Sequence, residues 1–214
     1  MSVRIDALVV ADPPDAWRAA GFRVDDDAVC RIGAVGIRLV GTDQGSGIVG
    51  WSLGGAPGVL GGEVDGEIDG IPTTASLVPA PVPEFEQAPH PNGVIAIDHV
   101  VLMSPDLART VAALAALGVQ PRRERDAELG GGRIRQIFYR FAEVILEVVG
   151  SPDSATDGPS SLWGVTCTVA DIDVTAAYLG PRTSPVKDAV QPGRRITTLR
   201  HGDFGMSVRT ALIS

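Results

Sequence analysis

Apolar residues cluster in short blocks along this chain, and each block is closed by glycine, proline or aspartate. Residues 94–103 form one such block, an apolar strand. Ser104-Pro105-Asp106 follows as a helix cap, and Leu107, Val111, Leu114 and Leu117 then recur at helical spacing up to Gly118. Strands are predicted over 119–125, 133–141 and 144–149, with turns at 130–132 and 142–143. The stretch 94–150 therefore reads as a complete βαβββ unit. The same order recurs at 162–213: a strand over 163–169, a helix over 171–179 stopped by Gly180-Pro181, then strands over 186–189, 195–200 and 206–212. A weaker copy occupies residues 1–53, with a strand over 3–10 and a helix capped by Asp12 with Pro13 in its first turn. Strands over 28–32, 35–40 and 48–53 complete it.

The copies align residue by residue. Residues 29–41 match 138–150 without a gap, and Ile5-Asp6-Ala7-Leu8-Val9-Val10 sits against Ile97-Asp98-His99-Val100-Val101-Leu102. His99 precedes the capping Asp106 by seven residues, as Gly164 precedes Asp171. Between the copies, residues 54–93 are rich in Gly and Pro and lack helical period. They are expected to form an extended surface linker, with the acids of 63–70 in a solvated hairpin. The expected division is 1–53, the linker 54–93, and a domain over 94–214 built of units 94–150 and 162–213. The fold class is α+β, a mixed sheet of tandem βαβββ units. Two units pair to bury their open faces, which leaves the N-terminal copy with Val9, Ile37 and Leu39 in need of cover. A homodimer is the expected solution.

Composition narrows the function. The net charge is −8, and the arginines are interleaved with apolar residues in strands, which argues against nucleic acid. No apolar run is long enough for a membrane span, and the two cysteines, Cys30 and Cys167, lie far apart as expected of buried free thiols. A cytoplasmic setting is the expectation.

Ile-Asp-His-Val-Val-Leu opening the 94–150 unit and Ile-Leu-Glu-Val-Val closing it resemble the vicinal oxygen chelate superfamily, which includes glyoxalase, bleomycin-resistance and extradiol-dioxygenase-like proteins. The resemblance implies a cup in which first and last strands hold a divalent metal such as Zn, Mn, Fe or Ni. Carried over by position, His99 and Glu147 match two ligands, whereas Gly164 and Arg209 stand where His and Glu are common, and Ala7 and Arg38 replace them in the N-terminal copy. His201, Asp203 and Cys167 are the other ligating side chains within reach in sequence, but none occupies a family position. Two ligands do not hold a divalent ion firmly. The expected function is therefore binding of a small organic molecule in the cup without the usual metal, with His99, Glu147, Arg209, Gln136 and Arg140 as ligand-binding candidates. The alternative is a metal-dependent lyase, isomerase or dioxygenase using His99, Glu147 and an atypical third ligand. His99 also admits a plain reading as a buried, hydrogen-bonded strand histidine. In the metal-free reading, Arg209 is expected to pair with Glu147, and Gly164 to leave the room of a missing histidine.

Overall fold

The computed structural model describes residues 2–55, 65–76 and 89–214. Its strands belong to one mixed sheet built from four modules. The third module is the complete one: β7 (Val94–Met103), α2 (Leu107–Ala116), β8 (Arg123–Leu129), β9 (Gly132–Phe141) and β10 (Val144–Gly150). β10 runs parallel to β7, and the meander β10-β9-β8 continues outward. The fourth module repeats this with β11 (Ser161–Val169), α3 (Ile172–Leu179), β12 (Lys187–Asp188), β13 (Arg195–Thr198) and β14 (Arg209–Ile213). β7 and β11 pair antiparallel along most of their length, which joins the two modules into one curved surface. Both helices are capped as their sequences require. Asp106 accepts from the Arg109 N–H at 3.1 Å, and Asp171 accepts from the N–H groups of Asp173 and Val174 at 2.9 and 3.1 Å.

The N-terminal copy is present and follows the same register. β1 (Arg4–Val10), α1 (Pro14–Ala19), β2 (Val29–Ile32) and β3 (Val35–Leu39) place Ala7 opposite Gly36 and Val9 opposite Arg38. In the third module, His99 stands opposite Ile145 and Val101 opposite Glu147. The gapless match of 29–41 with 138–150 is thus a structural equivalence. The helix begins one residue later than expected, with Pro13 at its cap and Pro14 inside. Asp12 is free for other partners. Almost fully buried, it accepts from Trp17 Nε1 at 3.0 Å and from the N–H and hydroxyl of Ser207 at 2.7 and 2.5 Å.

β4 (Ile48–Gly54) lies on the far side of β1, antiparallel to it, and stands to β1 as β11 stands to β7. Two shared irregularities establish this. The β1/β4 ladder has an extra residue at Asp6 in one strand and at Val49 in the other; the β7/β11 ladder has them at the equivalent Asp98 and Trp163. β4 therefore opens a second module, reduced to three strands by the addition of β5 (Asp65–Ile68) and β6 (Ile71–Ala75). β6 runs parallel to β4, and β5 folds back on β6. An extended arm was the expectation for 54–93. Within its described part, residues 65–75 instead form a hairpin, turned at Asp69 (φ 52°) and Gly70 (φ 80°). The rest of that expectation, residues 56–64 and 77–88, lies outside the described residues. The solvated-hairpin reading is also corrected at one residue: the Asp69 side chain is only 2% exposed. It accepts from Arg109 Nε, from the Thr110 hydroxyl, and from the Ser160 hydroxyl at 2.6 Å, tying the N-terminal half to α2 and to the start of β11.

One hydrophobic cluster runs through all four modules, from Leu8, Trp17 and Ile37 to Trp51, Leu146 and Leu212. Ile37 and Leu39 are buried within the chain, so the reason given for a dimer does not hold at those residues. No described helix is long and apolar enough to cross a membrane.

His90 fastens the segment before β7 to the first module. Its Nδ1 accepts the Arg23 N–H at 2.9 Å, and its Nε2 donates to the Arg31 carbonyl at 2.9 Å. That tautomer is the neutral ring, and burial lowers its pKa below the ordinary value of 6.5. The folded pKa lies below the unfolded one, so this contribution to stability is whole above that ordinary value and declines as pH falls through it. Thermal unfolding should show a melting temperature that drops between about pH 7.5 and about pH 5. His90→Gln should flatten that slope; an unchanged slope would contradict the assignment.

Candidate functional site

The concave face of the third and fourth modules encloses a cavity of about 720 Å³. One wall is the face of β8, β9 and β10 that carries Arg123, Arg125, Gln136, Phe138, Ile145 and Glu147. The segment from Lys187 to Pro192 and Ile196 of β13 close the other side. Alternation along the strands explains this face: Leu146 and Val148 point into the core, so Ile145 and Glu147 point into the cup.

The floor is a run of hydrogen-bonded side chains. Arg125 Nε donates to Gln136 Oε1 at 2.8 Å, and Gln136 Nε2 donates to Glu147 Oε1. Across from it, His99 Nε2 lies 3.6 Å from Glu147 Oε2. His99 Nδ1 donates to Asp98 at 2.8 Å, and Arg194 donates to the other Asp98 oxygen at 2.5 Å. Burial pushes the Asp98 carboxyl up, but the bonds from His99 and Arg194 outweigh it and hold its pKa below the usual carboxylate value. With Nδ1 committed to Asp98, Nε2 is the atom His99 presents to the cup. Neighbouring strand residues ordinarily face opposite ways. Asp98 joins His99 because it is the extra residue of the bulge, the feature its counterpart Asp6 shares, where Arg4 supplies the partner at 2.6 Å.

Four candidates from the sequence, His99, Glu147, Gln136 and Arg140, line this cavity together. Arg209 does not, and its expected pairing with Glu147 is corrected. It stands opposite Gly164, which makes it the counterpart of Ile145. The counterpart of Glu147 is Ala211, opposite Thr166. β14 begins later than the sequence pattern indicates, so counting residues placed Arg209 two positions wrong. Its side chain is exposed, with the guanidinium 4.9 Å from the Trp163 ring centre. Arg209→Ala should therefore change stability by no more than about 1 kcal/mol, the scale of an exposed cation–π contact, as urea unfolding would measure. A loss of several kcal/mol would restore the buried pairing.

Gly164 does not hold open the space of a lost histidine. A Cβ there would come within 2.5 Å of the Arg209 carbonyl oxygen. Its counterpart in the second module, Gly50, faces the Pro72 carbonyl at 2.9 Å in the same way. The glycines exist for close strand approach.

These residues do not make up the metal set that the resemblance implies. His99 and Glu147 converge, but Gly164, Thr166 and Ala211 bring no imidazole or carboxylate to the opposite wall. Among the described residues no three His, Cys, Asp or Glu side chains gather in ligating geometry. His201 and Asp203 lie in a separate turn, and Cys167 is fully buried, its thiol pushed up to about 12 by burial and the nearby Asp98. What the sequence missed was Asp98, hidden by the bulge, and the cationic side of β8. Arg123 and Arg125 alternate on one face, a signal that was present in the pattern.

No protein-family model matches the sequence, and no curated protein matches it. Solved structures do. A variant of 4-hydroxymandelate synthase from Streptomyces coelicolor superposes on 100% of this chain and 92% of its own, with a TM-score of 0.70 and 16% identity. A xylose isomerase-like TIM barrel/4-hydroxyphenylpyruvate dioxygenase fusion protein matches 100% of this chain over 48% of its own, with a TM-score of 0.60 and 13% identity. Methylmalonyl-CoA epimerase from Mycobacterium tuberculosis aligns with 56% of this chain and 88% of its own, with a TM-score of 0.44 and 18% identity. With four modules in register and two structures alike over its full length, the chain has the fold of the vicinal oxygen chelate superfamily.

Proposed function

We propose that this protein binds a small organic molecule in the cup of its third and fourth modules, without a firmly held divalent metal. The observation that carries this is the cavity itself. It is large enough for a drug-sized molecule and offers apolar surface from Phe138, Ile145, Val190, Pro192 and Ile196. At its floor, Gln136 holds one oxygen of Glu147 and Asp98 holds His99 Nδ1, so both side chains are positioned by protein partners. His99 Nε2 is left to hydrogen-bond the ligand or to exchange a proton with it.

The competing reading is a metal-dependent lyase, isomerase or dioxygenase. It is favoured by one feature, an imidazole braced by a carboxylate on Nδ1 with Glu147 beside its Nε2. It needs a third ligand from outside the set described.

The test is uptake of a neutral fluorescent probe, N-phenylnaphthylamine, by protein treated with chelator. Fluorescence should rise on binding and be lost in Ile145→Trp, which fills the cup. No uptake, or uptake indifferent to that substitution, would overturn the proposal.

A further inference from the structure

The β8–β9 hairpin carries arginines on both faces, and the two faces are treated differently. On the face toward the helices, Arg133 and Arg135 are matched to acids. Both bond Asp126, at 2.6 and 2.7 Å, Arg133 reaches Asp153 at 3.0 Å, and Glu124 lies 3.9 Å from Arg135. Those contacts hold the Asp126 carboxyl well below the usual carboxylate range. On the cup face, Arg123 meets no carboxylate among the described residues, nor does the neighbouring Arg122. Arg125 gives two N–H groups to one neutral oxygen, Gln136 Oε1, and Arg140 has only Glu143, 3.8 Å away and largely exposed. The only lysine in the chain, Lys187, faces this side from β12. In a protein of net charge −8, a cavity lined by these five cations against three acids, Asp98, Glu147 and Asp188, is a local inversion of the charge pattern.

We infer that the ligand is an organic anion, a carboxylate or phosphate ester, held by its charged group at Arg123 and Arg125. This rests on the cup-binding reading above and adds the chemistry of the ligand. Register supports it. Arg123 stands opposite Phe138 and Arg125 opposite Gln136, so two planar donor forks rise from alternate positions of one strand on the cup side. The anion would sit at the wall lined by β8, with its apolar body along Phe138 and Ile145 toward His99. Arg125 is a positioning residue as well: through Gln136 it sets the orientation of Glu147 at the far end of the ligand.

The test is displacement of N-phenylnaphthylamine by three competitors of similar size: phenylbutyrate, phenyl phosphate and the neutral phenylbutanamide. The anions should displace the probe at concentrations about tenfold or more below the amide, the scale of charge-assisted hydrogen bonds. Arg123→Gln with Arg125→Gln should erase that preference, added salt should weaken it, and Arg133→Gln on the other face should leave it intact. Either anion leading supports the inference, and their order tells carboxylate from phosphate. If the probe binds but all three competitors act alike, or if the double substitution leaves the preference unchanged, the inference falls and the cup reading stands. If the probe does not bind at all, both fall.

Discussion

Replacing Gly164 with alanine is expected to destabilise the protein by about 2–3 kcal/mol, and Gly164→His by more. The first added carbon would lie 2.5 Å from a backbone oxygen that is fixed by the parallel pairing of β11 with β14. Backbone on both sides of the contact sits in the middle of the sheet, so relief requires moving a strand rather than turning a side chain. The same substitution at Gly50 meets the Pro72 carbonyl at 2.9 Å and should cost less, because β6 is held from its other side only by the short β5. Urea unfolding of the two alanine variants tests this. Equal and small effects would show that the strands do not approach as closely as described. A consequence is that Gly164→His would not install a metal ligand, however well the family pattern suggests one.

The second large effect is expected at Asp69. Its carboxylate is buried and receives three side-chain donors, from Arg109, Thr110 and Ser160, at the junction of the two halves. Asp69→Ala leaves the Ser160 hydroxyl and the Arg109 Nε–H without their carboxylate, whereas Thr110 keeps the Asp106 carbonyl at 3.1 Å, and the change should cost about 2–4 kcal/mol. Asp69→Asn keeps the shape but not the charge and should recover part of that loss. Chemical unfolding measures both, and a neutral Asp69→Ala would mean that this cluster contributes nothing to the junction, which the Asp12–Ser207 contacts and the shared core would then carry alone.

Two further predictions, the pH dependence arising from His90 and the mild effect of Arg209→Ala, concern the same question of which contacts are structural. Together they trace how far the sequence could be read. The β–α–β order of the first, third and fourth modules was legible because cap residues, helical stripes and strand alternation are local signals, and the gapless match of 29–41 with 138–150 survived because register repeats with them. The hairpin of β5 and β6 was not legible. Asp65-Gly66-Glu67-Ile68 and Ile71-Pro72-Thr73-Thr74-Ala75 have weak strand propensity, and their order comes from pairing with β4 and from the buried Asp69. At the site, His99 and Glu147 were legible from spacing. Asp98 was not, since a bulge reverses the face that alternation assigns it. Arg209 was misplaced for a related reason: the start of a five-residue strand after a turn depends on tertiary pairing, and an error of two residues keeps the face but changes the neighbour.

Among the described residues, the pairing of His99 with Glu147 has no equivalent in the other modules. The positions of His99 and Glu147 correspond to Ala7 and Arg38 in the first module, Gly50 and Thr74 in the second, and Gly164 and Ala211 in the fourth.

The most direct test of a cup that works without a firmly held ion is elemental analysis of the protein purified in the absence of chelators, beside Glu147→Gln. Zinc, manganese, iron and nickel should all fall well below one ion per chain, with no difference between the two proteins. About one ion per chain, lost on Glu147→Gln, would show that His99 and Glu147 hold a metal after all and would contradict the account.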